Sequence, residues 1–167
     1  MSDHLKAANA YCEFLRALDV ERFDGIHADE SGRLATELMD TWLSGDRMPR
    51  PHLSCMTATA KDRIQISDLP FYSFCGHHFV PFFGTVSIEY IPNAFIAGLG
   101  GFARVIDYYA RRPQFQETLT AQIADHIVED LNPTGISVHI SARQMCMELK
   151  GYGQGAIIRT HALRGTI

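Results

Sequence analysis

The residues best suited to chemistry lie in one short polar segment that follows an apolar run. This segment reads Cys75-Gly76-His77-His78. A Cys and a His three positions apart in a turn can both reach one metal ion, and thiolate and imidazole are ligands that zinc prefers. Cys146 is the best candidate for a third ligand, because the other two cysteines lie in helix and linker patterns. Three protein ligands leave a fourth position for water, which is typical of catalytic rather than structural zinc sites.

Two neighbours of these residues are candidates for catalysis. His77 stands beside a predicted ligand, and imidazole titrates near neutral pH, so it could act as a general acid or base. If the strand that begins at Ile136 continues through Cys146, Gln144 points to the same side as that cysteine. The alternative is that the cysteines are buried thiols and the histidines are solvated, since one C-x-x-H pair is a weak signal.

A second group of residues could bind a ligand. Gln116 and Glu117 lie near the start of a predicted helix, where a carboxylate interacts favourably with the helix dipole. A carboxylate there could also pair with the guanine edge, which presents two N–H donors. Arg104 and Lys150 could bind an anion, although such residues are more often solvated surface charges.

The N-terminal quarter of the chain is patterned as helices. Apolar residues recur at spacings of three and four over the first part of the chain, which predicts one helix. A second helix is expected to follow the cap candidates Asp29 and Ser31 and to end near Gly45. We therefore predict an N-terminal helical arm over 1–52 and a catalytic domain over 53–167.

The rest of the chain alternates between strand and helix patterns. We predict a short strand over 63–66, a strand around 86–90, a helix from about Gly98 to Arg111, a helix that begins near Pro113, a strand that begins at Ile136 and a strand over 156–163. Hairpins that flank a helix pair predict an α+β domain, with an antiparallel sheet covered on one face.

Composition narrows the class of protein. The chain has 167 residues, of which 46% are hydrophobic and 20% are charged. These values suit one compact domain with or without a small arm. A net charge of −4 argues against a general binder of nucleic acid or anionic membranes.

Targeting signals and disulfides are not expected either. The sequence contains no apolar run long enough to span a bilayer and no apolar signal-peptide stretch at its start. Its four cysteines are too few for a disulfide scaffold. We expect a cytoplasmic protein.

Several motifs together resemble the GTP cyclohydrolase I family in order and spacing. They cover residues 75–84, 90–93, 98–99, 111–117 and 145–147, within a likeness that runs from about Ile64 to Leu163. The resemblance implies the tunnelling fold (T-fold), an antiparallel four-stranded sheet with two helices, preceded here by the helical arm. It also implies a homo-oligomer, usually a toroidal decamer, with active sites at subunit junctions.

The same resemblance implies roles for individual residues. It implies a Zn²⁺ ion held by three ligands, Cys75, His78 and Cys146. His77 would have a catalytic role, Glu117 with Gln116 would recognise guanine, and Arg104 would contact the triphosphate. The implied reaction opens the guanine imidazole ring of GTP by hydrolysis at C8, releases formate and gives 7,8-dihydroneopterin triphosphate. This product belongs to pterin and tetrahydrofolate biosynthesis, and so to one-carbon metabolism.

The sequence departs from the family pattern at five positions. Gly76 replaces the usual Glu, and Gln144 replaces a His two residues before the last zinc cysteine. Glutamine can hydrogen-bond but cannot shuttle a proton near neutral pH. Gly100 and Gly101 replace Ser-Lys, and Lys150 replaces a phosphate-binding Arg, which keeps the charge but loses the planar fork. The two glycines could still bind phosphate through backbone N–H groups at a helix start.

Three hypotheses follow from these motifs and departures. The first is a zinc-dependent GTP cyclohydrolase I with a guanine nucleotide as substrate. The second is a divergent cyclohydrolase that uses a less phosphorylated guanine nucleotide or stops at a formamidopyrimidine or other open-ring product. The third is a non-catalytic T-fold protein that binds a purine or pterin. None of the three involves a nucleic acid or a membrane.

Overall fold

The structure is a computed structural model that describes residues 3–20, 28–59 and 61–167. The chain forms two compact units, Met1–Ser44 and Gly45–Ile167. None of the helices in the described ranges combines the length and the apolar character needed to cross a bilayer.

The first unit contains two helices. Helix α1 covers His4–Ala17 and helix α2 covers Ala28–Trp42. Asp3 caps α1, because its side chain accepts a hydrogen bond from the backbone N–H of Lys6 at 3.0 Å. The two predicted caps of α2 are wrong. Asp29 and Ser31 lie inside the helix, which begins before both of them.

The second unit carries all the strands of the described residues. After a short 3₁₀ helix its elements are β1 Cys55–Thr57, β2 Ile64–Cys75, β3 Pro81–Ile91, β4 Phe95–Ala97, α3 Leu99–Ala110, β5 Pro113–Gln114, α4 Gln116–Leu131, β6 Gly135–Gln144, α5 Met145–Glu148 and β7 Ile158–Gly165. Strands β1 and β4 form a separate antiparallel pair.

The main sheet has the strand order β5-β2-β3-β6-β7. Its four long strands are antiparallel neighbours, which confirms the predicted four-stranded antiparallel sheet. The two-residue β5 adds a parallel edge, where Gln114 lies opposite Cys75. This pairing brings the residues just before α4 next to the end of β2.

Helices α3 and α4 contribute to one core with the sheet. Alternate residues of β3 point inward and are almost completely buried, as shown by Val86 and Ile88. They belong to the same apolar cluster as Ile106 of α3 and Ile123 of α4. The α+β architecture predicted from the sequence is therefore confirmed.

Two element boundaries differ from the prediction because of local backbone geometry. The short strand expected at 63–66 continues through Cys75, with a register shift between Ile66 and Leu69. Asp68 adopts a φ of 59° at this bulge. Such a bulge interrupts the alternation that the sequence pattern depends on. Pro113 lies in β5 rather than in the first turn of a helix, and α4 begins at Gln116.

The end of β6 also differs from the prediction. The strand ends at Gln144, and Cys146 lies in the short helix α5, so the condition of an unbroken strand through Cys146 is not met. Arg143 and Glu148 form a two-pronged ion pair across this turn, at 2.8 and 2.5 Å, which favours the bend. The last strand starts at Ile158, two residues later than predicted, after a run of turns.

The segment before β1 is anchored to the end of α4. Asp130 accepts hydrogen bonds from Arg50 at 3.1 Å and from the backbone N–H of Leu53 at 2.8 Å. Burial alone would raise the pKa of Asp130, but these hydrogen bonds outweigh it and the pKa lies below its usual value. His126 is fully buried beside Asp130, and its Nδ1 lies 3.2 Å from the hydroxyl of Tyr109. Burial lowers the pKa of His126, and the nearby Arg50 lowers it further.

Candidate active site

A tight turn between β2 and β3 brings Cys75 and His78 together. The backbone N–H of Cys75 donates to Val80 O, and the N–H of Phe79 donates to Cys75 O, both at 2.9 Å. The N–H of Gly76 donates to Gln114 O of β5 at 3.0 Å, which fixes the turn against the start of α4. As a result, Cys75 Sγ lies 3.8 Å from His78 Nδ1.

Cys146 joins this pair from α5. One ligand atom from each of Cys75, His78 and Cys146 lies within 4.8 Å of the other two. Burial raises the pKa of the Cys146 thiol, and the adjacent Cys75 sulfur raises it further. Two thiols and an imidazole at this separation match the donor set that zinc prefers, so the three residues could hold a metal ion. The ligand set expected from the sequence thus converges on one point.

The Arg143–Glu148 ion pair supports the turn that carries Cys146. Glu148 is the last residue of α5, and its pKa is lowered chiefly by its hydrogen bonds with Arg143. The pair joins residues on both sides of Cys146 and so closes the turn in which this cysteine lies. Neither member of this pair was predicted to belong to the site.

The loop histidine His77 is exposed and packs against an aromatic ring. The His77 and Phe115 rings are 4.6 Å apart between centroids, with planes at 61°. The ring of Phe115 also lies over Gly76, where an added Cβ would stand 3.3 Å from Phe115 Cζ. Phe115 therefore fills the space that a side chain at position 76 would take.

These groups line one cavity of about 340 Å³. Its walls are formed by Cys75, His77, His78, Gln114, Phe115, Gln116, Glu117, Gln144, Cys146, Met147 and Ile158. Its volume lies at the lower end of the range of small-molecule sites. The cavity combines the predicted metal ligands with the predicted catalytic and guanine-binding residues.

The side chains of Gln116 and Glu117 lie in different environments although the two residues are adjacent. Glu117 is exposed in the first turn of α4, and no hydrogen bond or ion pair joins it to the described part of the chain. Gln116 is 4% exposed, and its Nε2 lies within hydrogen-bonding distance of Ile140 O and Ile158 O. Its Oε1 accepts a hydrogen bond from Gln144 Nε2 at 2.8 Å. Glu117 is thus free to bind a ligand, whereas the Gln116 amide is engaged by the protein.

The predicted anion-binding residues divide into two groups. Lys150 is close to the metal-ligand cluster, with its Nζ 3.1 Å from His78 Nε2. Arg104 lies instead on a separate cavity of about 270 Å³, together with Arg50 and Asp107. Gly100 and Gly101 open α3 near Arg104, outside the lining of the first cavity. One chain therefore does not bring the expected phosphate-binding residues of α3 to the Cys-His-Cys cavity.

Several residues that line the cavity have no role predicted from the sequence. Phe115 has the clearest signal in the sequence, because it is an aromatic residue directly before the Gln-Glu pair. In the structure its side chain remains 43% exposed. Met147 and Ile158 reach the cavity only through the bend at α5 and the start of β7. Their pattern in the sequence is that of ordinary core residues.

Comparisons with known proteins agree with this geometry. The family model described as GTP cyclohydrolase I matches residues 7–167. The chain is 35% identical to "GTP cyclohydrolase 1" of Halalkalibacterium halodurans, over 98% of this chain and 89% of that protein. It is 38% identical to "GTP cyclohydrolase 1" of Clostridioides difficile, over 98% of this chain and 88% of that protein.

A solved structure extends the comparison to the fold. The apo form of an archaeosine synthase, QueF-Like, superposes with a TM-score of 0.54 at 19% identity, over 65% of this chain and 99% of that one. This likeness concerns the fold alone, and it confirms the tunnelling fold predicted from the sequence. Since the family model covers nearly the whole chain and both relatives match 98% of it, the chain belongs to the GTP cyclohydrolase I family.

Proposed function

We propose that this chain is a zinc-dependent GTP cyclohydrolase. It would open the imidazole ring of GTP by hydrolysis at C8, release formate and give 7,8-dihydroneopterin triphosphate. The observation that carries this proposal is that the Cys75, His78 and Cys146 donor atoms line the same cavity as the exposed Glu117 carboxylate.

The proposed metal ligands supply a defined donor set. Cys75 and Cys146 would bind as thiolates and His78 as a neutral imidazole, so metal binding would release protons from the thiols. When bound, zinc acts as a Lewis acid and makes water a stronger nucleophile near neutral pH. The Arg143–Glu148 pair closes the turn that carries the Cys146 sulfur.

Glu117 is the group proposed to read the base. A carboxylate only accepts hydrogen bonds, and the guanine edge offers the ring N–H and the exocyclic amine as two parallel donors. Holding the base in this way places C8 at a fixed distance from the Cys-His-Cys group, which is catalysis by positioning. The exposed ring of Phe115 offers an apolar surface beside that carboxylate.

His77 is proposed to hold and transfer a proton. C8 of a neutral purine is a poor electrophile, and protonation of N7 by a general acid would make it more reactive. The His77 imidazole lines the cavity, and its ring orientation is limited by the contact with Phe115.

We further propose that the triphosphate is bound with the help of a second copy of the chain. Arg104, Gly100 and Gly101 lie outside the cavity that contains Glu117. A homo-oligomer with sites at subunit junctions, such as a toroidal decamer, would bring those residues of one copy to the cavity of another. All the proposed site residues belong to the unit Gly45–Ile167.

The proposed thiol ligands must stay reduced to bind a metal ion, which suits the reducing cytoplasm.

A second candidate function has specific observations in its favour. Gln144 stands where a proton-shuttling His is usual, and its amide is bound to Gln116. Gly101 replaces the usual phosphate-binding Lys, which removes one cation. A cyclohydrolase that accepts GMP, or that stops at a formamidopyrimidine, would have these features.

Product chromatography with GTP, GMP and guanosine tests these functions. The proposed function predicts formate and a dihydroneopterin product from GTP, and Glu117→Gln should raise the KM for GTP by about tenfold or more. An open-ring product, or preference for GMP, would establish the second candidate. Protein that contains no metal and turns over none of the three substrates, but still binds a purine or pterin, would support the third hypothesis.

A further inference from the structure

A pair of glutamine amides joins α4 to the end of β6 at the edge of the cavity. Gln116 Nε2 lies 3.3 Å from Ile140 O and 3.0 Å from Ile158 O. Backbone carbonyls only accept hydrogen bonds, so the Gln116 nitrogen must face them. The amide orientation of Gln116 is therefore determined, and its oxygen faces Gln144.

This orientation also determines the orientation of Gln144. The Gln116 oxygen can only accept, so Gln144 must donate through its Nε2. The two atoms are 2.8 Å apart. The remaining polar atom of the Gln144 amide is its oxygen. Because Gln144 lines the cavity, it can offer this oxygen to a ligand as a hydrogen-bond acceptor.

The same bond connects the element that carries Glu117 with the segment that carries Cys146. Gln116 directly precedes Glu117, and Gln144 lies two residues before Cys146. The carboxylate and the thiol belong to different elements, α4 and α5. The amide pair thus links the residue directly before Glu117 to the residue two positions before Cys146.

We propose that Gln144 is a positioning residue for ring opening, which holds the base-reading carboxylate at a fixed distance from the Cys-His-Cys group. This inference rests on the proposed function. Loss of the link leaves the Glu117 contact with the base in place but misaligns C8, so the rate of reaction falls more than the affinity.

Gln144→Met tests this role, because methionine has a similar length and no hydrogen-bonding amide. Gln122→Met is the matched control. It removes another amide-amide bond of α4, between Gln114 Nε2 and Gln122 Oε1 at 2.8 Å. Gln122 does not line the cavity, and its partner Gln114, which does, keeps a second hydrogen bond from Nε2 to Tyr109 O at 2.9 Å. We expect Gln144→Met to lower kcat for formate release by about 10- to 100-fold, with the KM for GTP changed less than about threefold. The control should change neither value.

Two further measurements separate positioning from other effects. The metal content per chain and the Kd for GTP, measured by calorimetry, should be the same in Gln144→Met and in the wild type. Equal kcat in Gln144→Met and the wild type would overturn the inference and leave the proposed function intact. A loss of metal from Gln144→Met, or a loss of GTP affinity as large as the loss of kcat, would also overturn the inference. Absence of formate from the wild type would overturn the proposed function, and the inference with it.

Discussion

The ring of Phe115 occupies the space beside Gly76, so that an added Cβ at position 76 would stand 3.3 Å from Phe115 Cζ. That distance is tighter than ordinary van der Waals contact, and Phe115 is exposed enough to move away. Because the same ring contacts His77, a side chain at position 76 would disturb His77 indirectly.

Gly76→Glu should therefore impair the reaction through Phe115. We expect kcat/KM for GTP to fall by about tenfold, because the displaced ring no longer limits the orientation of His77. Steady-state kinetics of Gly76→Glu, Phe115→Ala and the double variant measure the coupling between the two positions. Effects that simply add would show that the two residues act independently.

Glu148→Gln should weaken metal binding although Glu148 is not a ligand. The change removes the charge of the pair with Arg143 that supports the turn around Cys146. Loss of a group hydrogen-bonded directly to a ligand typically costs about 10- to 100-fold in metal affinity, and we expect a smaller loss here because Glu148 acts only through the turn. Zinc affinity can be measured by competition with a chromogenic chelator.

Glu89→Gln is the control for this experiment. It removes an ion pair of similar length, with Arg63 at 3.0 Å, in a part of the sheet that does not line the cavity. Its zinc affinity should equal that of the wild type. If both variants bind zinc like the wild type, the ion pair does not hold the Cys146 turn.

The stability of the protein should fall as the pH drops below about 6.5, the usual pKa of histidine. Burial lowers the pKa of His126 in the folded state, so below pH 6.5 the unfolded chain takes up a proton that the folded chain does not. The stabilisation is complete above this pH and is lost as the pH falls through the lowered pKa.

Chemical denaturation at pH 7.5 and 5.5 measures this effect in metal-free protein. His139, whose pKa burial also lowers, adds to the loss in the wild type. His126→Phe should therefore lose less stability than the wild type between the two pH values. A loss as large as that of the wild type would mean that His126 does not contribute.

Gln144→His should change the products more than the binding of GTP. Neutral imidazole has one donor, which can replace the bond to Gln116, and one acceptor for the cavity, and it can also transfer a proton near neutral pH. If the natural enzyme accumulates an open-ring product, this variant should convert more of it to a dihydroneopterin. Chromatography that shows an unchanged product ratio would contradict this role for position 144.

The sequence was most informative where contacts are local. The alternation around Val86 and Ile88 predicted a half-buried strand, because that period follows directly from the pleat. Cys75 and His78 come together within a single turn, so their spacing was sufficient to predict that they lie close to each other.

Features without a periodic signature and features that depend on long-range contacts were not predicted. The Arg143–Glu148 pair that accompanies the bend after Gln144 is of the first kind, because its members are only five residues apart but follow no pattern. The hydrogen bonds of the Gln116 side chain, on α4, are of the second kind, because they reach the carbonyls of Ile140 in β6 and Ile158 in β7. Such partners are defined only when the sheet is assembled.

Metal removal tests the central claim most directly, namely that Cys75, His78 and Cys146 hold an ion required for ring opening. Formate release from GTP is measured for the purified enzyme, for enzyme treated with a chelator under reducing conditions, and after zinc is added back. We expect about one zinc per chain, loss of formate release on chelation and its recovery with zinc. Chelated, metal-free enzyme that releases formate at the original rate would contradict this claim.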